Sequence, residues 1–156
     1  MNYIEITVKL VIIMVLSALI GFDREMRHKP AGIKTHILVG MGSAVFMMVS
    51  IYMYQAFMGK AQVDPGRIAA QVVTGIGFLG AGTIIQSQGS VLGLTTAASL
   101  WTVSGIGLAV GCGMYYLAII STVIVMIVFL VTNRLASFFG QEVNKVQEKI
   151  KKRKRR

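Results

Sequence analysis

Residues 64–82 read Asp64-Pro65-Gly66-Arg67-Ile68-Ala69-Ala70-Gln71-Val72-Val73-Thr74-Gly75-Ile76-Gly77-Phe78-Leu79-Gly80-Ala81-Gly82. At about 100° per residue, Arg67, Gln71, Thr74, Gly75, Gly77, Ala81 and Gly82 share one broad arc of a helix, and Ile68, Val72, Val73, Ile76 and Leu79 share the other. One face is small and polar; the other suits lipid. Small residues let helix backbones approach closely, which is how helices associate where lipid is as apolar as leucine. The stretch is therefore expected to be a membrane span at the centre of a bundle, with Gly75, Gly77, Gly80, Ala81 and Gly82 as packing positions. Gly75-x-Gly77-x-x-Gly80 also carries the letters of the dinucleotide fingerprint, but that motif needs a preceding strand and a βαβ unit. Inside an apolar run it is rejected.

The rest of the chain agrees with a lipid environment. Of 156 residues, 54% are apolar and 14% charged, and the mean hydropathy is +0.68, more apolar surface than a soluble domain of this size can hide. Five apolar stretches, roughly 5–22, 36–58, 68–86, 94–111 and 114–132, each approach the ~20 residues that a spanning helix needs. The expected fold is all-α: a compact bundle of about five transmembrane helices over residues 1–135, and a short amphipathic, basic tail over 136–156. The fourth span looks weakest, because Gly105, Gly107, Gly111 and Gly113 punctuate its end; Gly107 and Gly111 are also candidate packing positions. The segment 87–93 reads as a charge-free loop, with a re-entrant path as its alternative. A cleavable signal peptide is a poor reading of residues 1–22, which lack a basic start and a small-x-small cleavage pattern. The single cysteine, Cys112, excludes an internal disulfide and any cysteine-based metal cage.

A net charge of +10 would suggest nucleic acid in a soluble protein. Here the charges are segregated. Arg24, Arg27, Lys29 and Lys34 follow span one, and nine cations from Arg134 to Arg156 follow span five. Five spans put both clusters on one side, so thirteen of the sixteen cations face the cytoplasm and leave Lys9, Lys60 and Arg67 near the other face. The expected location is the bacterial inner membrane, N-terminus outside. The tail, with Val143, Val146 and Ile150 among polar residues before Lys151-Lys152-Arg153-Lys154-Arg155-Arg156, suits anionic lipid.

Candidate functional residues sit at the edges of the spans. Asp64-Pro65 reads as a helix cap over the amides of Gly66 and Arg67, with an outer-face ion ligand as the alternative. Arg67 either snorkels to the interface or points into the bundle beside Gln71 and Thr74. In Gly21-Phe22-Asp23-Arg24-Glu25-Met26-Arg27-His28-Lys29-Pro30, Asp23 can pair with Arg24 or Arg27, and Pro30 ends the helix near His28. Alternatively Asp23 and Glu25 turn inward as ion or proton sites, enough carboxylate for a magnesium ion that keeps its waters. His28 and His36, eight apart across a proline turn, are not a metal pair. No nucleophile with a base and no multi-histidine cluster appears, so an enzyme is not expected.

Two blocks resemble the MgtC/SapB family of bacterial membrane proteins. The first is Gly21-Phe22-Asp23-Arg24-Glu25 with Lys29-Pro30-Ala31-Gly32-Ile33-Lys34-Thr35-His36. The second runs from Asp64 and Arg67-Ile68-Ala69-Ala70-Gln71 through Gly75–Gly82 to Gly93-Leu94-Thr95-Thr96-Ala97-Ala98-Ser99-Leu100-Trp101. The resemblance implies a five-helix inner-membrane protein linked to growth under low magnesium, to virulence and intramacrophage survival, and in one branch to restraint of the proton-driven ATP synthase. Members resembling the virulence factor usually have Asn at the position of Thr95, Cys at that of Thr102, and a soluble C-terminal domain of the ACT kind. This chain has a basic tail there, so it is expected to be a short member with a weaker tie to those two roles.

The expected activity is ion handling or regulation of another membrane protein, in magnesium-limitation or acid-stress physiology, with no cofactor beyond a possible Mg²⁺. A pure helix-docking module without transport is the alternative. Expected partners are the bilayer, anionic lipid at the tail, and a second copy or another membrane protein; nucleic acid is not expected.

Overall fold

The computed structural model describes the backbone of residues 2–59, 63–87 and 89–154, and the side chains of these up to 138 except 87 and 137. Among the described residues the fold is all-α apart from one short hairpin. Helix α1 spans Tyr3–Met26, α2 Ile33–Phe57, α3 Gly66–Gly82, α4 Leu94–Gly111 and α5 Tyr115–Lys154; strands β1 Ile85–Ser87 and β2 Ser90–Leu92 lie between α3 and α4. Among the described residues, four helices are long and apolar enough to cross a membrane: α1, α2, α4 and the Tyr115–Ala136 part of α5. At 17 residues, α3 rises about 26 Å, slightly less than the ~30 Å of hydrocarbon. The protein is a multi-pass membrane protein.

The third span was expected to reach residue 86 and to sit at the centre. It does neither. The helix stops at Gly82, where the amides of Thr83 and Ile84 turn back onto the carbonyls of Gly80 and Ala81, both at 3.0 Å. The chain then pairs Ile85 with Leu92, Gln86 with Val91 and Ser87 with Ser90 in antiparallel register, so much of the expected loop is strand. Only Ile76 and Gly80 of α3 are buried. A β-carbon on Gly75, Gly77 or Gly82 would meet nothing within 4 Å, and one on Gly80 would rest against Ala97.

The central helix is α4, the span expected to be weakest. It is unbroken over 18 residues, ten of them buried. Its glycines are the reason. A β-carbon on Gly107 would run into the carbonyl oxygen of Gly40, and one on Gly111 would lie 2.8 Å from the Ala44 oxygen, so two glycines one turn apart let α4 lie against the backbone of α2. Gly93 leads into α4 with φ 91, and the site a β-carbon would fill there is taken by the Thr83 carbonyl, so only glycine fits.

Both ends of the core pairings are capped. At the end of α1, His28 takes φ 53, its amide donating to Glu25 O at 2.9 Å while the Lys29 amide donates to Arg24 O at 3.0 Å. This pair of bonds around a left-handed residue satisfies the last carbonyls of the helix. The end of α4 repeats it: Gly113 N donates to Val110 O and Met114 N to Ala109 O.

Residues 1–122 form one compact unit and 123–156 a second, which contains α5 from Val123 to Lys154. The tail expected to start a separate helix near 141 continues α5 without interruption to Lys154. Lys60, Gln88, and the side chains of Val143, Val146, Ile150 and the terminal cations lie outside the described residues.

Candidate functional site

Every helix in this core must settle its polar side chains without water, because an unsatisfied group in hydrocarbon costs several kcal/mol. Several do so locally: Ser43 donates to Val39 O and Thr122 to Ala118 O, each at 2.9 Å. A second set reaches between helices, and these residues make the candidate site.

Arg24 is 4% exposed and donates from Nη2 to the Thr96 hydroxyl at 3.1 Å. His36, fully buried, lies with Nδ1 2.8 Å from the Gly32 carbonyl and Nε2 3.0 Å from the Ser99 hydroxyl. A carbonyl only accepts, so Nδ1 carries a proton. The Ser99 hydroxyl also lies 2.8 Å from the Thr96 carbonyl, and its single proton serves one acceptor at a time. Arg24, Thr96, Ser99, His36 and Gly32 thus form one buried polar chain linking α1, α4 and α2. Ser43 and Ser104 add a 2.9 Å bond between α2 and α4 farther along.

Asp23 sits at the edge of this chain. It is 9% exposed; Oδ1 accepts from Arg27 Nε at 2.9 Å, and Oδ2 has no hydrogen-bond donor among the described residues. Glu25 does not join it. Two residues on, it faces away, and its Oε2 accepts the Ile33 amide at 2.8 Å, capping α2. The structure therefore separates Asp23 and Glu25, the two proposed magnesium ligands. Asp23 instead pairs with Arg27, Oδ1 to Nε at 2.9 Å. A guanidinium already on the carboxylate weakens its attraction for a divalent cation. Among the described residues no three His, Cys, Asp or Glu side chains gather.

The other sequence candidates lie elsewhere. Asp64 Oδ1 accepts the Gly66 amide at 2.8 Å, and the Arg67 amide donates to the Asp64 backbone oxygen at 3.2 Å. Arg67 and Gln71 line a groove between α2 and α3. Thr74 is exposed and donates to Ala70 O at 3.1 Å. Thr96, Ser99 and the structural use of His36 were not singled out as site residues, although all three stand inside the quoted blocks, and the i, i+3 spacing of Thr96 and Ser99 puts them on one face of α4. Lys9 was also missed: it is 5% exposed, pairs with Glu5 at 2.8 Å and donates to Gly111 O at 3.2 Å, a cation at the negative end of α4.

The two blocks are thus brought into contact by Arg24–Thr96 and His36–Ser99. The family model described as "MgtC family" matches residues 10–138. The "Putative magnesium transporter YhiD" of Escherichia coli K12 is 45% identical over 133 residues, 84% of this chain and 62% of that one. "Protein MgtC" of Salmonella typhi is 42% identical over 142 residues, 91% and 57% of the two chains. An "Uncharacterized protein" of Haemophilus influenzae is 40% identical over 130 residues, 81% and 55%. This chain spans between 55% and 62% of the length of these relatives. No solved structure matches it. With the family model matched from within α1 into α5, and the matched region containing the buried chain that joins α1, α2 and α4, the protein belongs to the MgtC family.

Proposed function

We propose that the protein regulates another membrane protein in magnesium-limitation or acid-stress physiology, in the bacterial inner membrane with its N-terminus outside, and is not itself a conduit. One observation carries this reading: Ala70, Thr74, Gly77 and Ala81, at heptad spacing along α3, are all exposed, and a side chain on Gly77 would meet nothing. Such a seam admits a partner helix at close backbone distance. The ionisable groups support it, since Asp23, Glu25, Asp64 and Arg24 all bond within the chain. The tie to magnesium comes from the relative named as a putative magnesium transporter.

Ion handling is the second reading, favoured by the buried Oδ2 of Asp23, which has no donor among the described residues. Growth at low magnesium separates the two. For the regulator, Gly77→Leu and Ala81→Leu abolish growth support while the protein still folds, and Asp23→Asn keeps it. The reverse pattern, or Mg²⁺ or proton flux through purified protein in sealed proteoliposomes, sinks the regulator.

A further inference from the structure

Between α2 and α3 lies a groove of ≈ 710 Å³. Its walls are Phe46 and Leu38 from α2 and Val72 and Leu79 from α3, and one end carries Arg67 and Gln71. The two helices run antiparallel, pinned where Ser50 Oγ donates to Pro65 O at 2.7 Å, so Phe46 lies toward the Arg67 end and Leu38 toward Leu79. From Arg67 to Leu79 is twelve helical steps, about 18 Å, close to the depth of one leaflet of a ~30 Å hydrocarbon core.

The guanidinium of Arg67 has no ion pair or hydrogen bond with another described side chain. Asp64, the nearest acid in sequence, is committed to the Gly66 amide. A guanidinium at the mouth of an apolar slot calls for an anion that offers two oxygens to two of its donors at once, and a phosphodiester, with two non-bridging oxygens, meets that need. The walls below call for a hydrocarbon chain. We infer that the groove seats one anionic phospholipid, its phosphate on Arg67 and the Gln71 amide and one acyl chain running between Phe46 and Val72 down to Leu38 and Leu79. This site is on the α2 side of α3, apart from the seam of Ala70, Thr74, Gly77 and Ala81, so it stands without the regulatory reading.

Titration of the purified full-length protein with phosphatidylglycerol or phosphatidylcholine, read by native mass spectrometry, tests it. One phosphatidylglycerol is retained in preference to phosphatidylcholine, and Arg67→Gln weakens that retention about tenfold, the order of one charge-assisted contact. Gly42→Leu and Gly75→Leu fill the groove from opposite walls. Neither glycine has a neighbour within 4 Å of a β-carbon, so both variants keep the helical melt while losing the lipid; Gly77→Leu, outside the groove, keeps it. Equal retention of the two lipids, or no effect of Arg67→Gln, overturns the site. So does an unchanged lipid count in both groove-filling variants accompanied by a shift from dimer to monomer, which would make the occupant a second copy.

Discussion

The Arg24 guanidinium and the Thr96 hydroxyl, 72 positions apart in sequence, meet at 3.1 Å inside the protein and tie the end of α1 to the first turn of α4. Thr96→Val keeps the shape and removes the acceptor. A buried charged donor then loses a partner, which costs about 1.5–3 kcal/mol. Thr96→Ser keeps the hydroxyl and stays near the parent. Unfolding midpoints in detergent, compared across the three proteins, check this; a valine variant as stable as the parent refutes it.

Two glycines with similar sequence surroundings are expected to behave differently. Gly107→Ala drives a methyl into the Gly40 carbonyl and destabilises the protein by about 1–3 kcal/mol through overpacking. Gly77→Ala meets empty space and gains up to about 1 kcal/mol of helix propensity. Heat-induced loss of the helical circular dichroism signal orders the variants as Gly77→Ala, parent, Gly107→Ala, from most to least stable.

Glu25 caps α2 through the Ile33 amide. Glu25→Ala removes the cap and costs about 0.5–2 kcal/mol, as cap losses do. If Glu25 instead served an ion, the variant would be neutral in stability and defective in growth at low magnesium, so the two measurements together decide its role.

Cys112, exposed in the turn after α4, reports the orientation of the chain. With the N-terminus outside, that turn is on the outer face, and a membrane-impermeant maleimide labels Cys112 in intact cells. Partial burial pushes the thiol up from its ordinary value, against the opposing pull of Lys9. The thiolate is the reactive form. A raised pKa leaves less of it at any given pH, so labelling is slower than for a free thiol and keeps accelerating at higher pH than the free thiol does. Labelling only after the membrane is broken reverses the proposed topology.

Hydropathy placed α4 at 94–111 to the residue and the ends of α1 and α2 within four positions, because ~20 apolar residues in a row have few other uses, whereas α5 runs on to Lys154, far past the expected 132. It misplaced the end of the third span because Ile84, Ile85, Val91 and Leu92 are as apolar in a hairpin as in a helix. It also misjudged which helix is central. Glycines in α3 and α4 look alike in a sequence, and only the partner surface separates Gly107, pressed on Gly40, from Gly77, facing outward. Arg27 with Asp23 was legible as an i, i+4 pair. Arg24 with Thr96 and His36 with Ser99 were not, since nothing within one helix signals a bond across two.

The glycine crossing of α2 and α4 has a mechanical consequence. Where Gly107 faces the Gly40 carbonyl, backbone lies against backbone with little side chain between to compress, whereas α3 buries two residues and meets α2 through the open groove. Under a pulling force on a single molecule in a bilayer, α3 and its hairpin would peel away at low load. The α2–α4 crossing would part last, in one abrupt step.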